Sequence, residues 1–193
     1  MRKFNLASVF FFIPFFLYGN IGPSGFIHYP NPYFVETGTH HGAGISKAME
    51  AGFKEIRSID IDPDLVDKAV NYFSNFQNVK LFCGDSSKEL WNMIKDINEK
   101  ITFWLDGHNI YPVTNKKNCP LLEELEQIKW HPIKNHTIII DDMHCLDTIY
   151  FDYISRNQLI SKIHEINPAY QISYIVGGDQ GSHPNNIMVA RIP

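Results

Sequence analysis

Phe34-Val35-Glu36-Thr37-Gly38-Thr39-His40-His41-Gly42-Ala43-Gly44 runs from an apolar strand into a glycine-rich turn. A helical segment, Ile45 to Ala51, follows it. A second strand then ends in acid: Ile56-Arg57-Ser58-Ile59-Asp60-Ile61-Asp62-Pro63. Strand, glycine-rich loop, helix and acid-tipped strand together make a nucleoside-binding βαβ unit. The glycines let the backbone approach a ligand closely, and the acid can accept from both ribose hydroxyls. The spacing is G-x-x-x-G-x-G, not the G-x-G-x-x-G dinucleotide fingerprint, which steers the reading away from a nicotinamide enzyme.

Outward from that stretch, strands and helices alternate. Tyr33-Val35, Ile56-Ile59, Val79-Phe82, Ile101-Leu105 and Thr137-Ile140 read as strands. Pro63 opens a helix with Asp62 as its N-cap, and Leu65, Val66, Ala69, Val70 and Phe73 fall on one face of it. Ser86-Ser87-Lys88-Glu89 reads as a capping box for a helix carrying Leu90, Met93, Ile94 and Ile97. A polar loop from Asn109 to Asn118 precedes a helix over Leu121-Ile128, and another helix spans Gln158-Ile166. Tyr170-Val176 and Asn186-Ile192 close the chain as two strands too near in sequence for a crossover helix. The pattern predicts a single-domain α/β fold over residues 33–193. It is a Rossmann-like three-layer sandwich whose mostly parallel, seven-stranded sheet ends in an antiparallel pair. A ligand should then bind beyond the carboxyl ends of the strands, where Glu36, Asp60, Asp85, Asp106, Asp141 and Asp142 gather.

In order, these motifs resemble the class I S-adenosylmethionine-dependent methyltransferases. Glu36-Thr37-Gly38 with Gly42 and Gly44 resembles the first motif in its E-x-G-x-x-x-G form, as in the catechol O-methyltransferase-like group. Asp60 falls where that family holds the ribose, and Gly84-Asp85-Ser86 resembles the third motif, whose acid neighbours the adenine amine. More narrowly, Phe103-Trp104-Leu105-Asp106-Gly107-His108, Pro120-Leu121-Leu122-Glu123-Glu124-Leu125 and Ile139-Ile140-Asp141-Asp142 are similar to a set of uncharacterised bacterial methyltransferase-like proteins. The resemblance implies S-adenosylmethionine as cosubstrate, bound by Glu36, Gly38, Gly42, Gly44, Asp60, Asp85 and Ser86. Two departures stand out. The family's N-terminal cover helices are missing, and the loop after His108 is Asn109-Ile110-Tyr111-Pro112 rather than a small glycine-rich turn.

The acids after strands four and five bear on the acceptor. Asp106, Asp141 and Asp142 follow strands expected to be neighbours, and crowded carboxylates raise one another's pKa unless a cation intervenes. A hard, oxygen-liganded ion such as magnesium would neutralise them, and the resemblance implies a magnesium site there that orients a hydroxyl acceptor. Asp106, His108 and His144 are the catalytic candidates. Each histidine lies two residues past an acid and is available as general base, metal ligand or solvated loop residue. Either of His40 and His41 could pack over the cosubstrate. Trp104 reads as core.

The 193 residues carry a formal charge of -4, which gives no electrostatic case for a nucleic-acid partner. A small molecule is the expected acceptor. Cys83, Cys119 and Cys145 lack metal-ligand spacing and read as free thiols. Arg2 and Lys3 precede an apolar run from Phe4 to Tyr18, so residues 1–19 read as a signal peptide or short anchor, against an apolar arm packed on the domain. Membrane contact is expected only through that segment. It points to export, whereas the cosubstrate points to the cytoplasm. Two other functions fit parts of the sequence: a metal-dependent glycosyltransferase using Asp60-Ile61-Asp62 as D-x-D, and a non-catalytic exported binding protein on the same fold.

Overall fold

Alternation along the strands decides which layer each residue enters, because successive strand side chains point to opposite faces. In β1 (Tyr33–Thr37), Phe34 faces one layer and Val35 the other, and both are fully buried. The computed structural model describes residues 25–177 and 183–193. The proposed signal or anchor segment lies outside these residues. No helix among the described residues is long and apolar enough to cross a membrane.

The sheet consists of β1, β2 (Glu55–Asp60), β3 (Val79–Cys83), β4 (Ile101–Leu105), β5 (Thr137–Ile140), β6 (Gln171–Gly177) and β7 (His183–Arg191). Their order is β3-β2-β1-β4-β5-β7-β6. The first five run parallel, and β7 runs antiparallel to both β5 and β6. The expected seven strands and antiparallel end are both present. The order reverses between β1 and β4, which opens a crevice at their carboxyl ends.

Helices cover both faces. One core joins Val35, Ile59, Phe103 and Ile138 to residues of α3 (Ser86–Ile94), α4 (Leu121–Trp130) and α5 (Arg156–Ile166). The other joins Phe34, Ile56, Trp104 and Ile139 to residues of α1 (Ala43–Ala51) and α2 (Pro63–Phe73). Phe26, in a short 3-10 turn before β1, packs into this second core against Phe34 and Trp104, with ring centroids 4.6 and 5.3 Å away.

Local chemistry sets the helix starts. Asp62 caps α2 by accepting from the Asp64 amide, with Pro63 at the first helical position. On that helix Val66, Ala69 and Phe73 are buried, but Val70 is exposed, off the apolar face expected for it. The capping box expected at Ser86 is absent. Asp85 is the cap, accepting from the Ser87 amide at 3.0 Å, because its extended backbone places a carboxylate where Ser86, already helical, cannot reach. Cys83 ends β3 in register with Asp60 and is exposed, while Cys119 and Cys145 are buried; all three are free.

Candidate active site

The turn after β1 is fastened to the end of β2. The amides of Gly38 and Thr39 both donate to the Ile59 carbonyl, at 2.9 and 3.2 Å. The His40 amide donates to Asp60 Oδ2 at 2.7 Å, and Asp60 Oδ1 accepts from the Asp62 amide at 3.0 Å. Asp60 thus shapes the loop that it borders, and a carboxylate's remaining lone pairs stay available to a ribose. Gly38 and Gly42 hold left-handed backbone, with φ of 86° and 77°. A Cβ on Gly38 would run into the Asp106 carbonyl, so the turn lies directly against the end of β4. His40 and His41 lie ring to ring at its edge, 4.0 Å apart.

Glu36 lies beneath this turn rather than in it. It is 2 % exposed, and its Oε2 accepts from Ser58 Oγ at 2.6 Å. Burial pushes its carboxyl up to about 8, with the Ser58 bond opposing and the charges of Asp106 and Asp60 adding. Ser86 is likewise inward-facing, and its hydroxyl donates to Glu124 of α4 at 2.6 Å. Burial raises Glu124 to about 7 against that hydrogen bond. Asp85 remains half-exposed at the rim, salt-bridged to Lys88 at 3.0 Å.

At the ends of β4 and β5, Asp106 and Asp142 do converge, with His108 between them in place of Asp141. His108 Nδ1 is 3.4 Å from Asp106 Oδ1 and Nε2 is 3.5 Å from Asp142 Oδ2. Ligand atoms of Asp106, His108 and Asp142 lie within 4.8 Å of one another. Asp141 stands apart from that group. It is nearly fully buried and accepts the Asp142 amide at 2.8 Å. Burial, reinforced by the charges of Asp106 and Asp142, pushes it up to about 8. Burial also raises Asp106. Burial alone would lower His108, but hydrogen bonds to Asp106 and Cys145 and the charges of both acids outweigh it and push the ring up to about 10.

This donor set does not fit the all-carboxylate magnesium site expected from the sequence. Magnesium demands near-octahedral oxygen coordination. Here an imidazole ring lies between the two accessible carboxylates, and the third acid, Asp141, is buried outside the group.

His144 is exposed, in the middle of a 3-10 turn over Met143–Cys145. Its Nδ1 is 2.7 Å from Asn186 Oδ1, and Asn186 Nδ2 donates to Asp142 Oδ1 at 3.2 Å. With Asn186 accepting, the His144 proton sits on Nδ1 and the Nε2 lone pair is the basic one.

No family model matches the chain, and no curated protein matches its sequence. Solved structures do match its fold. An O-methyltransferase from Bacillus cereus in complex with SAH superposes at a TM-score of 0.57 and 12% identity, covering 84% of this chain and 74% of that one. The SAH-bound methyltransferase PaMTH1 of Podospora anserina gives 0.55 at 11% identity, over 84% and 72%. The N-methyltransferase NodS of Bradyrhizobium japonicum gives 0.54 at 12% identity, over 88% and 90%. The fold is that of a class I methyltransferase. Within this methyltransferase fold the glycine-rich turn, Asp60 and the Asp106–His108–Asp142 group share one sheet edge.

Residues that sequence reading passed over complete the site. Ser58 and Thr39 lie under the turn, Glu124 behind Ser86, and Asn186 beside His144 and Asp142. Only Ser58 left a signal, as a small polar residue inside an apolar strand, two places before the acid.

Proposed function

We propose that this protein transfers a methyl group from S-adenosylmethionine to a small acceptor, at a hydroxyl oxygen. The observation that carries the reading is the glycine turn bound at the end of β2, with Asp60 at its mouth, in a methyltransferase fold. Asp60 holds the ribose hydroxyls, Asp85 borders the adenine, and the Gly38–Gly44 backbone receives the remainder of the cosubstrate. The acceptor oxygen attacks the sulfonium methyl in line. A carbon–oxygen bond forms, the carbon–sulfur bond breaks with its electron pair going to sulfur, and S-adenosylhomocysteine departs. Alignment supplies most of the acceleration in such a displacement.

The hydroxyl proton needs an acceptor. A ring protonated at both nitrogens cannot serve, which moves His108 from base to a holder of Asp106 and Asp142. His144 takes the base role, with Asn186 fixing its tautomer. The imidazole between the carboxylates suits an oxygen-liganded magnesium poorly, and the displacement itself needs no metal.

The D-x-D glycosyltransferase reading lacks comparable support. The Asp62 carboxylate is engaged in capping α2, and Asp60 borders the glycine-rich turn after β1, a place that suits a ribose-holding acid rather than a D-x-D pair.

Calorimetric titration with S-adenosylhomocysteine tests the proposal. Binding is expected in the wild type and lost in Asp60→Ala, with the affinity unchanged by magnesium or chelator. His144→Gln should bind normally and lose transfer once an acceptor is found. A folded wild type that does not bind would refute the methyltransferase reading and favour the non-catalytic one.

A further inference from the structure

The parallel register pairs Glu36 of β1 with Ser58 of β2, so the two side chains leave the sheet side by side on one face. Ser58 Oγ lies 2.6 Å from Glu36 Oε2 and 2.6 Å from Thr39 Oγ1. Ser58 has one proton, and it goes to Glu36. Thr39 must therefore donate to Ser58, which gives a directed chain Thr39→Ser58→Glu36. All three side chains are buried. The other carboxyl oxygen of Glu36 presses on Gly44, where any Cβ would run into it. The chain thus joins four pieces: the end of β1, the middle of β2, the turn after Gly38 and the first turn of α1.

We propose that Thr39 and Ser58 are positioning residues for the cosubstrate, forming with Glu36 a buried brace that holds the glycine-rich turn in its ligand-ready shape. The inference rests on the cosubstrate reading above. Apart from the Gly42 amide donating to the Thr39 carbonyl within the turn, the turn's amides bond to the carboxyl end of β2, at Ile59 and Asp60. Beyond the peptide bond from Thr37 to Gly38, the hydroxyl chain adds a side-chain tie from the turn through β2 to Glu36 of β1, and so fixes the turn's height above the sheet. Apolar side chains would fill the same space without specifying that height, because dispersion contacts carry no direction. A buried, fully satisfied polar chain does specify it.

Thr39→Val keeps the shape of the side chain and removes the donor. Thr39→Ser keeps the donor. Thr102→Val is the control; it removes a buried hydroxyl that bonds the Tyr29 carbonyl at 2.7 Å in the neighbouring strand β4. Thr39→Val should weaken S-adenosylhomocysteine binding about tenfold, the size of one buried hydrogen bond. Thr39→Ser should restore it, and Thr102→Val should leave it unchanged at a comparable loss of melting temperature. Wild-type affinity in Thr39→Val, an equal loss in Thr39→Ser, or an equal loss in Thr102→Val would each overturn the brace. Amide exchange in the ligand-free protein gives a second readout, with His40 and Gly42 exchanging faster in Thr39→Val but not in Thr102→Val. If the wild type fails to bind at all, the cosubstrate reading falls while exchange still decides the brace: unchanged exchange overturns it, and selective acceleration supports it.

Discussion

Gly44 differs in kind from the other glycines of its motif. Gly38 and Gly42 are needed both for left-handed backbone and for room, against the Asp106 carbonyl and the Phe73 ring, whereas Gly44 is needed for room alone. Its missing side chain is the space that the Glu36 carboxyl occupies. Gly44→Ala is therefore expected to displace Glu36 rather than bend the backbone. It should destabilise the fold by about 1–3 kcal/mol, as overpacking does, and abolish S-adenosylhomocysteine binding. Urea unfolding and calorimetry on the same sample would check both. An alanine variant with wild-type stability would mean that Glu36 has another rotamer open to it. The same residue shows why sequence reading reached the motif but not its workings. The motif grouped Glu36 with the ligand-contacting glycines, while its partner Ser58 lies 22 residues away and becomes a neighbour only through strand register.

Among the elements, the loop from Asn109 to Asn118 is the one least like a simple turn. Its ends are closed by the Asn109 amide donating to the Asn118 carbonyl at 2.7 Å. Asn118 then organises the interior, accepting from the Val113 amide at 2.7 Å and donating to the Val113 and Lys116 carbonyls. The whole loop hangs on Asp152, whose carboxylate accepts from the Asn118 and Cys119 amides, each at 2.9 Å, and from Asn118 Nδ2 at 3.0 Å. This compact Ω-type loop presents Ile110 and Tyr111 to solvent just past His108. Asp152→Ala should cost about 2–3 kcal/mol, since it orphans several donors, and limited proteolysis should then cut near Tyr111. Resistance equal to the wild type would mean that Asn118 closes the loop alone. The strands and the helices α1 to α5 were legible because their apolar periods are regular. The loop's clasp was not, because Asn118 and Asp152 are 34 positions apart. The cap of α3 shows a subtler limit. Asp85 and Ser86 both favour an N-cap, and only the backbone at Asp85 (φ −79°, ψ 110°) settles between them. His108 is a further case. The sequence brings three acids together at neighbouring strand ends, but does not show that a histidine from the same loop enters among them.

For the molecule as a whole, buried titratable groups pull stability in opposite directions with pH. His136 is completely buried, with Nε2 3.0 Å from His131 Nδ1 and Nδ1 accepting the Ile101 amide at 3.1 Å. Burial, with added repulsion from His131, Lys134 and Lys100, holds it down to about 3. The unfolded chain binds that proton first, so its contribution is present above about 6.5 and is lost as pH falls toward 3. Glu36 acts the other way. Its pKa is raised in the fold, so its contribution is present below about 4.5 and is lost as pH rises through 8. The two oppose each other up to about pH 6.5, so melting temperature should fall on the alkaline side between about 6.5 and 8, and Glu36→Gln should flatten that limb. A limb of unchanged slope in Glu36→Gln would show that Glu36 is already ionised in the fold. The arrangement of the cysteines has a practical consequence. Cys119 and Cys145 are enclosed, and Cys83 stands open in register with Asp60. A thiol-reactive fluorophore added to the native protein would attach at one place, beside the acid proposed to hold the ribose. The chain thus carries its own labelling handle, and a change in emission from that dye would report nucleoside arrival in real time without any engineered cysteine.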